Sequence, residues 1–204
     1  RQSAVLSESN RLIGDAKNLF IEEGASIEGA ILNVKEGPIY IGSDAEIMEG
    51  SLVRGAFALM DHAVLKMGAK VYGATTIGPY CKVGGEVGNS IFYAYSNKGH
   101  EGYVGNSLIG EWCNLGADTN TSNLKNNYGK VDTYSYVEEA IIDTDQQFMG
   151  VSMGDHSKCG INTMFNTATV IGVSCNVYGG DFLPKYIPSF SWGTASQLVP
   201  FRLD

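Results

Sequence analysis

Eight consecutive six-residue units run from the first opener, Ile41, to the last turn residue, Val87, and no other feature of the chain constrains its fold as tightly. Each unit opens on a large aliphatic residue: Ile41, Ile47, Val53, Leu59, Leu65, Val71, Ile77 and Val83. Four residues after each opener stands Ala45, Ser51, Phe57, Ala63, Ala69, Thr75, Cys81 or Val87, smaller in most units, with Phe57 breaking the size rule. A period of six fits neither the 3.6 of a helix nor the 2.0 of a flat strand. It fits an all-β solenoid in which each unit supplies a short strand and a turn, the hexapeptide parallel β-helix. The aliphatic side chain points into a narrow core, and the small residue lets the chain turn the corner.

The rhythm reaches upstream through Ile21 and Ile27, with a two-residue slip near Pro38 before it restarts at Ile41. After Val83 it is expected to break over residues 89–103, NSIFYAYSNKGHEGY, and to resume at Ile109 and Leu115. A second break is expected over residues 124–140, LKNNYGKVDTYSYVEEA. The last run opens at Met153, Cys159, Phe165, Ile171 and Val177, and the prolines and aromatics of FLPKYIPSFSWG suggest an ordered extension on the solenoid surface. Insertions in solenoids project from one face and often carry the binding chemistry, so the two breaks are where function is sought. Tyr93, Tyr95, Tyr134 and Tyr136 in these breaks are equally candidates for packing at a subunit interface.

At 204 residues the chain is long enough to bury a continuous core. One hexapeptide-repeat domain over residues 1–204 is expected. The sequence opens on Arg1 rather than Met, which fits the C-terminal part of a longer protein. A net charge of −8 without a basic stripe argues against nucleic acid as a partner. No apolar run approaches the roughly 18 residues that span a membrane. Cys81, Cys113 and Cys175 take small turn positions, Cys159 takes an opener position, and none forms a CxxC pair or zinc spacing. Structural, reduced thiols and a cytoplasmic location are expected from them.

The chain holds three histidines. His62, in LMDHAV, and His156, in MGDHSK, take turn positions where side chains face solvent. His100 stands in the first break, flanked by Gly99 and Gly102. A histidine on such a turn, held against a rigid scaffold, can act as a general base near neutral pH.

From Gly99 to the terminal asparagine the chain presents Gly99, His100, Tyr103, Val104, Gly105, Ile109, Gly110, Asn114, Leu115, Gly116, Ala117, Thr119, Thr121 and Asn123 without a gap. This run resembles the acetyltransferase half of the bifunctional N-acetylglucosamine-1-phosphate uridyltransferase/glucosamine-1-phosphate acetyltransferase family. The segments GPIYIG, KMGAKVYGATTIGP and KYIPSFSWG also look like a bacterial branch of sugar-nucleotidyltransferase-like proteins. The resemblance implies a left-handed coil, against the general right-handed preference of parallel crossovers. It implies a homotrimer, and an upstream nucleotidyltransferase domain that residues 1–204 do not contain. It assigns His100 as general base, Tyr103 and Asn123 to orient the acceptor, and Asn114 to shape the pocket. Lys98 and Lys130 would bind the substrate. Ala117, Asp155 and Gly179 would lie along acetyl-CoA, the cosubstrate, with backbone N–H groups near Ala117 facing developing negative charge. No metal is required. The acceptor would be an amino sugar phosphate or a nucleotide-sugar.

Two features depart from the family pattern. Leu124 stands where the family has an aromatic, and Tyr72 and Ser90 stand where it has phosphate-gripping cations. An inactive trimerisation or ligand-binding module is therefore the alternative. A zinc enzyme on the same scaffold would need His62, His100 and His156 to converge, and their spacing lacks a short histidine pair.

Overall fold

The computed structural model describes residues 3–201. Arg1 and the other terminal residues lie outside them. Two compact units make up the chain, Arg1–Glu101 and Gly102–Asp204.

In the first unit every coil supplies one short strand to each of three parallel ladders. One ladder runs through Arg11–Ile13, Ile31–Asn33, Leu52–Arg54, Lys70–Tyr72 and Glu86–Gly88. The second runs through Leu19–Ile21, Ile39–Ile41, Phe57–Leu59, Thr75–Ile77 and Ile91–Phe92. The third runs through Ser26–Ile27, Glu46–Ile47, Val64–Leu65, Lys82–Val83 and Asn97–Lys98. The openers come into register: Ile47 faces Leu65 and Leu65 faces Val83. All of them are buried, as are the turn residues Ala45, Ser51, Ala63, Ala69 and Cys81. Phe57, the size exception, is buried beside its register partners Ile39 and Thr75.

Two expectations need correction here. Val87 is not a small turn residue: it pairs with the opener Val71, so this coil is cut short by two residues. Residues 89–103 also do not leave the solenoid up to the end of the unit. Ile91–Phe92 and Asn97–Lys98 continue two of the ladders, with Phe92 on Ile77 and Lys98 on Val83. The rhythm looked broken because a lysine fills an inward position normally held by an aliphatic.

In the second unit Leu108–Ile109, Ser152–Met153, Val170–Ile171 and Tyr186–Ile187 form one parallel ladder. Asn114–Leu115, Lys158–Cys159, Asn176–Val177 and Ser191–Thr194 form another, closed by an antiparallel turn to Gln197–Pro200. Asn120–Thr121 pairs with Met164–Phe165. The second expected break is an insertion, and it reaches further than the sequence suggests. It folds as an antiparallel hairpin, Asp132–Ser135 on Ala140–Asp143, and a Leu124–Phe148 bridge ties its base. The tyrosines at the hairpin do not stay free: Tyr134 stacks on Tyr186 at 3.6 Å between centroids, and Tyr136 meets both edge-on.

One row of turns in each unit holds non-glycine residues at positive φ. Asp44, His62, Tyr80 and Tyr95 do so in the first unit, and Trp112, His156, Ser174 and Phe190 in the second. This backbone costs an L-residue about 1–2 kcal/mol. Ring stacking offsets part of that cost: His62 lies 4.7 Å from Tyr80, Tyr80 lies 5.2 Å from Tyr95, and Trp112 stacks on His156. All four cysteines are buried. Cys81, Cys113 and Cys175 direct their thiols at the carbonyls of Tyr93, Gly154 and Pro188.

The inward column should dominate stability. Leu65→Ala is expected to cost about 2–5 kcal/mol in urea unfolding. Met67→Ala, at a site 68% exposed, should stay within about 0.5 kcal/mol. Equal losses at both positions would contradict a core carried by the openers.

Candidate functional site

His100 lies on a turn one residue before the end of the first unit and is exposed. Two neighbours hold the turn. The Lys98 ammonium donates to the His100 carbonyl at 2.6 Å and to the Gly84 carbonyl at 3.0 Å. Lys70 lies 3.7 Å from the Glu101 carboxylate, an exposed pair that contributes little by itself. Lys98, expected from the resemblance to bind the substrate, is 1% exposed. Its ammonium is directed at main-chain carbonyls.

Further along the same unit, the coil cut short at Val87 changes which residue neighbours Tyr72. Counting on from Tyr72 by a full coil of three six-residue units leads to Ser90, but the register partner is Gly88. Ser90 is buried, with its hydroxyl on the Gly88 carbonyl. The Tyr72 ring leaves room only for glycine: a Cβ on Gly88 would sit 2.7 Å from it. The Tyr72 hydroxyl donates to Glu86 at 2.6 Å. The position beside Tyr72 thus carries no side chain, and the Tyr72 hydroxyl is engaged by the Glu86 carboxylate.

In the second unit Tyr103 and Asn123 come together as the sequence suggests. The Asn123 side-chain amide donates to the Tyr103 hydroxyl at 3.0 Å and to the Asn106 side-chain oxygen at 2.7 Å. Backbone bonds fix both strands, since the Tyr103 amide donates to the Asn120 side chain and the Gly105 amide to the Thr121 hydroxyl. Gly102 allows the close entry to this strand: its φ is +112° and a Cβ there would lie 2.3 Å from the Thr119 carbonyl.

The remaining expected residues are dispersed within this unit. Asn114 is an exposed strand residue in register with Lys158. Ala117 accepts the Asn162 amide on its carbonyl at 2.7 Å. Asp155 accepts the Glu111 amide on its carboxylate at 2.8 Å, closing the preceding turn. Gly179 sits at φ +120° beside Thr194. Lys130 pairs with Asp145 inside the insertion.

Sequence reasoning missed two groups. Asn106 escaped notice because it is an ordinary-looking turn residue at positive φ, where asparagine is tolerated. Its position one coil before Asn123 was the available signal. The other group is the base of the hairpin. There Lys125 pairs with Asp132 at 3.3 Å and Lys185 donates to the Asp132 carbonyl at 2.6 Å. Burial holds the Lys185 ammonium below the ordinary lysine value, and Asp132 partly opposes that. Burial, followed by the hydrogen bond to Tyr186, pushes the Tyr134 phenol above the usual value, and burial does the same to Tyr186. Among the described residues no three His, Cys, Asp or Glu side chains gather as a metal-ligand set. No helix of those residues is long and apolar enough to cross a membrane.

No protein-family model matches the chain. It is 29% identical over 163 residues to the bifunctional protein GlmU of Synechococcus sp. (strain CC9311), covering 78% of this chain and 31% of that relative. It is 30% identical over 151 residues to a bifunctional sugar-1-phosphate nucleotidylyltransferase/acetyltransferase of Sulfurisphaera tokodaii, covering 72% of this chain and 37% of that relative. The chain thus spans about a third of the length of these curated relatives. The crystal structure of the polySia-specific acetyltransferase NeuO superposes with a TM-score of 0.52 at 10% identity, covering 95% of this chain and 87% of that one. That likeness is one of fold, the left-handed parallel β-helix expected from the resemblance. The resemblance itself extends well beyond residues 99–123.

Two outcomes follow from this geometry. Asn123→Ala should cost about 1–2 kcal/mol in urea unfolding, because one amide serves both Tyr103 and Asn106, while Asn114→Ala should stay near zero. Raising the pH above about 10 should weaken the hairpin's hold, because the raised phenols stabilise the fold only while protonated. Tyr134→Phe should flatten that alkaline loss of stability, and an unchanged alkaline profile would argue against the stack.

Proposed function

We propose that this chain is an acyltransferase that moves an acetyl group from acetyl-CoA to an amino sugar, sugar phosphate or nucleotide-sugar, with His100 as general base. One observation carries the reading: the only histidine in the gapless resemblance run is exposed on a turn whose carbonyl is held from the core. The similarity to bifunctional sugar-nucleotide proteins supports the substrate class.

In the proposed reaction His100 takes a proton from the acceptor N–H or O–H as that atom bonds to the acetyl carbonyl carbon. The carbon–sulfur bond then breaks, and the proton passes to the departing coenzyme A thiolate. A reactive thioester asks for little beyond positioning and a base. The resemblance gives Tyr103 and Asn123 the task of orienting the acceptor, and it gives a homotrimer as the working assembly. The aromatic at Tyr72 and the carboxylate at Glu86 favour an acceptor that does not place a phosphate there.

That same substitution favours a second reading, a ligand-binding or trimerisation module without catalysis. Thiol release separates the two. The wild-type protein should release coenzyme A with at least one amino sugar, sugar phosphate or nucleotide-sugar. His100→Ala should lower that rate by roughly 10²–10⁴-fold with the fold intact by circular dichroism. Turnover unchanged in His100→Ala would remove His100 as base. Silence across all acceptors would leave the non-enzymatic module.

A further inference from the structure

Lys98 occupies a position that should belong to an aliphatic residue. It continues an inward column through Ile47, Leu65 and Val83, all buried. Burying an ammonium costs several kcal/mol unless hydrogen bonds compensate, and an apolar residue of similar length would fill the space without that cost. The ammonium is aimed at two carbonyls, Gly84 at 3.0 Å and His100 at 2.6 Å. The Gly84 carbonyl belongs to the preceding coil. Its amide also donates to the Lys98 carbonyl at 2.7 Å, so Gly84 and Lys98 grip each other twice. The side chain therefore ties the backbone of the exposed histidine to the coil beneath it. An ordinary turn on this scaffold needs no such tie: the equivalent inward residues Val83 and Leu65 have no polar group to offer.

We infer that Lys98 is a positioning residue: a buried cation that fixes the His100 backbone from inside the core and so sets where the imidazole stands. The inference rests on the proposed role of His100, and its structural half stands apart from that role. The four-carbon stem fills the core while the charged end reaches the turn. Charge-assisted bonds to carbonyls are stronger than neutral ones, which suits a clamp on a solvent-exposed segment. Displacement of a catalytic group by about 1 Å can cost 10²-fold in rate, so loss of the clamp should be read in turnover.

The test uses the full chain with Lys98→Met, which keeps the length of the side chain and removes the ammonium, and Lys98→Arg, which keeps the charge. In Lys98→Met, kcat should fall by about ten- to a hundredfold, while KM for acetyl-CoA stays within about twofold. Lys98→Arg should recover part of the loss. The His100 ring signals in NMR should shift or broaden in Lys98→Met, and those of His62 should not. A Lys98→Met protein with wild-type kcat and wild-type His100 signals would overturn the inference. If the wild type transfers no acetyl group, the functional reading fails while the ring signals still decide the clamp. If Lys98→Met does not fold, the wild type decides. One lysine ammonium with slowly exchanging protons, assigned to Lys98, supports the clamp, and rapid exchange at Lys98 refutes it.

Discussion

A core with room for only one or two inward side chains from each strand is what governs this architecture. In each unit the coils stack in parallel, and every strand is only two to four residues long. No strand could hold its place by its own hydrogen bonds. Register is kept because each inward residue sits on the one a coil before it. The aliphatic columns supply the burial, and the small or thiol-bearing turn residues supply the close corners. Everything exposed at the turns is then free to vary in chemistry while its backbone stays fixed.

That division shows how an exposed turn residue can be held in place through bonds to its backbone. His100 projects from a turn whose carbonyl is anchored by Lys98, and Tyr103 and Asn123 are linked through an amide that also engages Asn106. Aromatic residues at positive φ follow the same logic: His62, Tyr80 and Tyr95 accept a strained backbone and gain a stack.

Much of this was legible in the sequence, for a physical reason. Residues 41–83 repeat because each coil repeats the same packing problem, so hydrophobicity alone revealed the period. The reading failed where the packing rule was met by unexpected chemistry. Lys98 hides a coil because a charged residue ordinarily marks a solvent-facing position. Val87 was misplaced because two residues are missing from its coil, and that also moved the neighbour of Tyr72 from Ser90 to Gly88. The insertion was seen but cut short, since the strand Ala140–Asp143 is exposed throughout and carries no burial pattern. Tyr103 with Asn123 was recoverable from the resemblance run, whereas Asn106 could be found only by counting one coil back.

A general-base role for His100 requires its turn to be a prearranged reaction site. The most direct measurement is a titration of acetyl-CoA into the labelled protein with the His100 ring signals followed by NMR. Saturable shifts are expected at His100, with the His62 signals unmoved. Shifts at neither ring up to millimolar ligand, or at His62 alone, would contradict it.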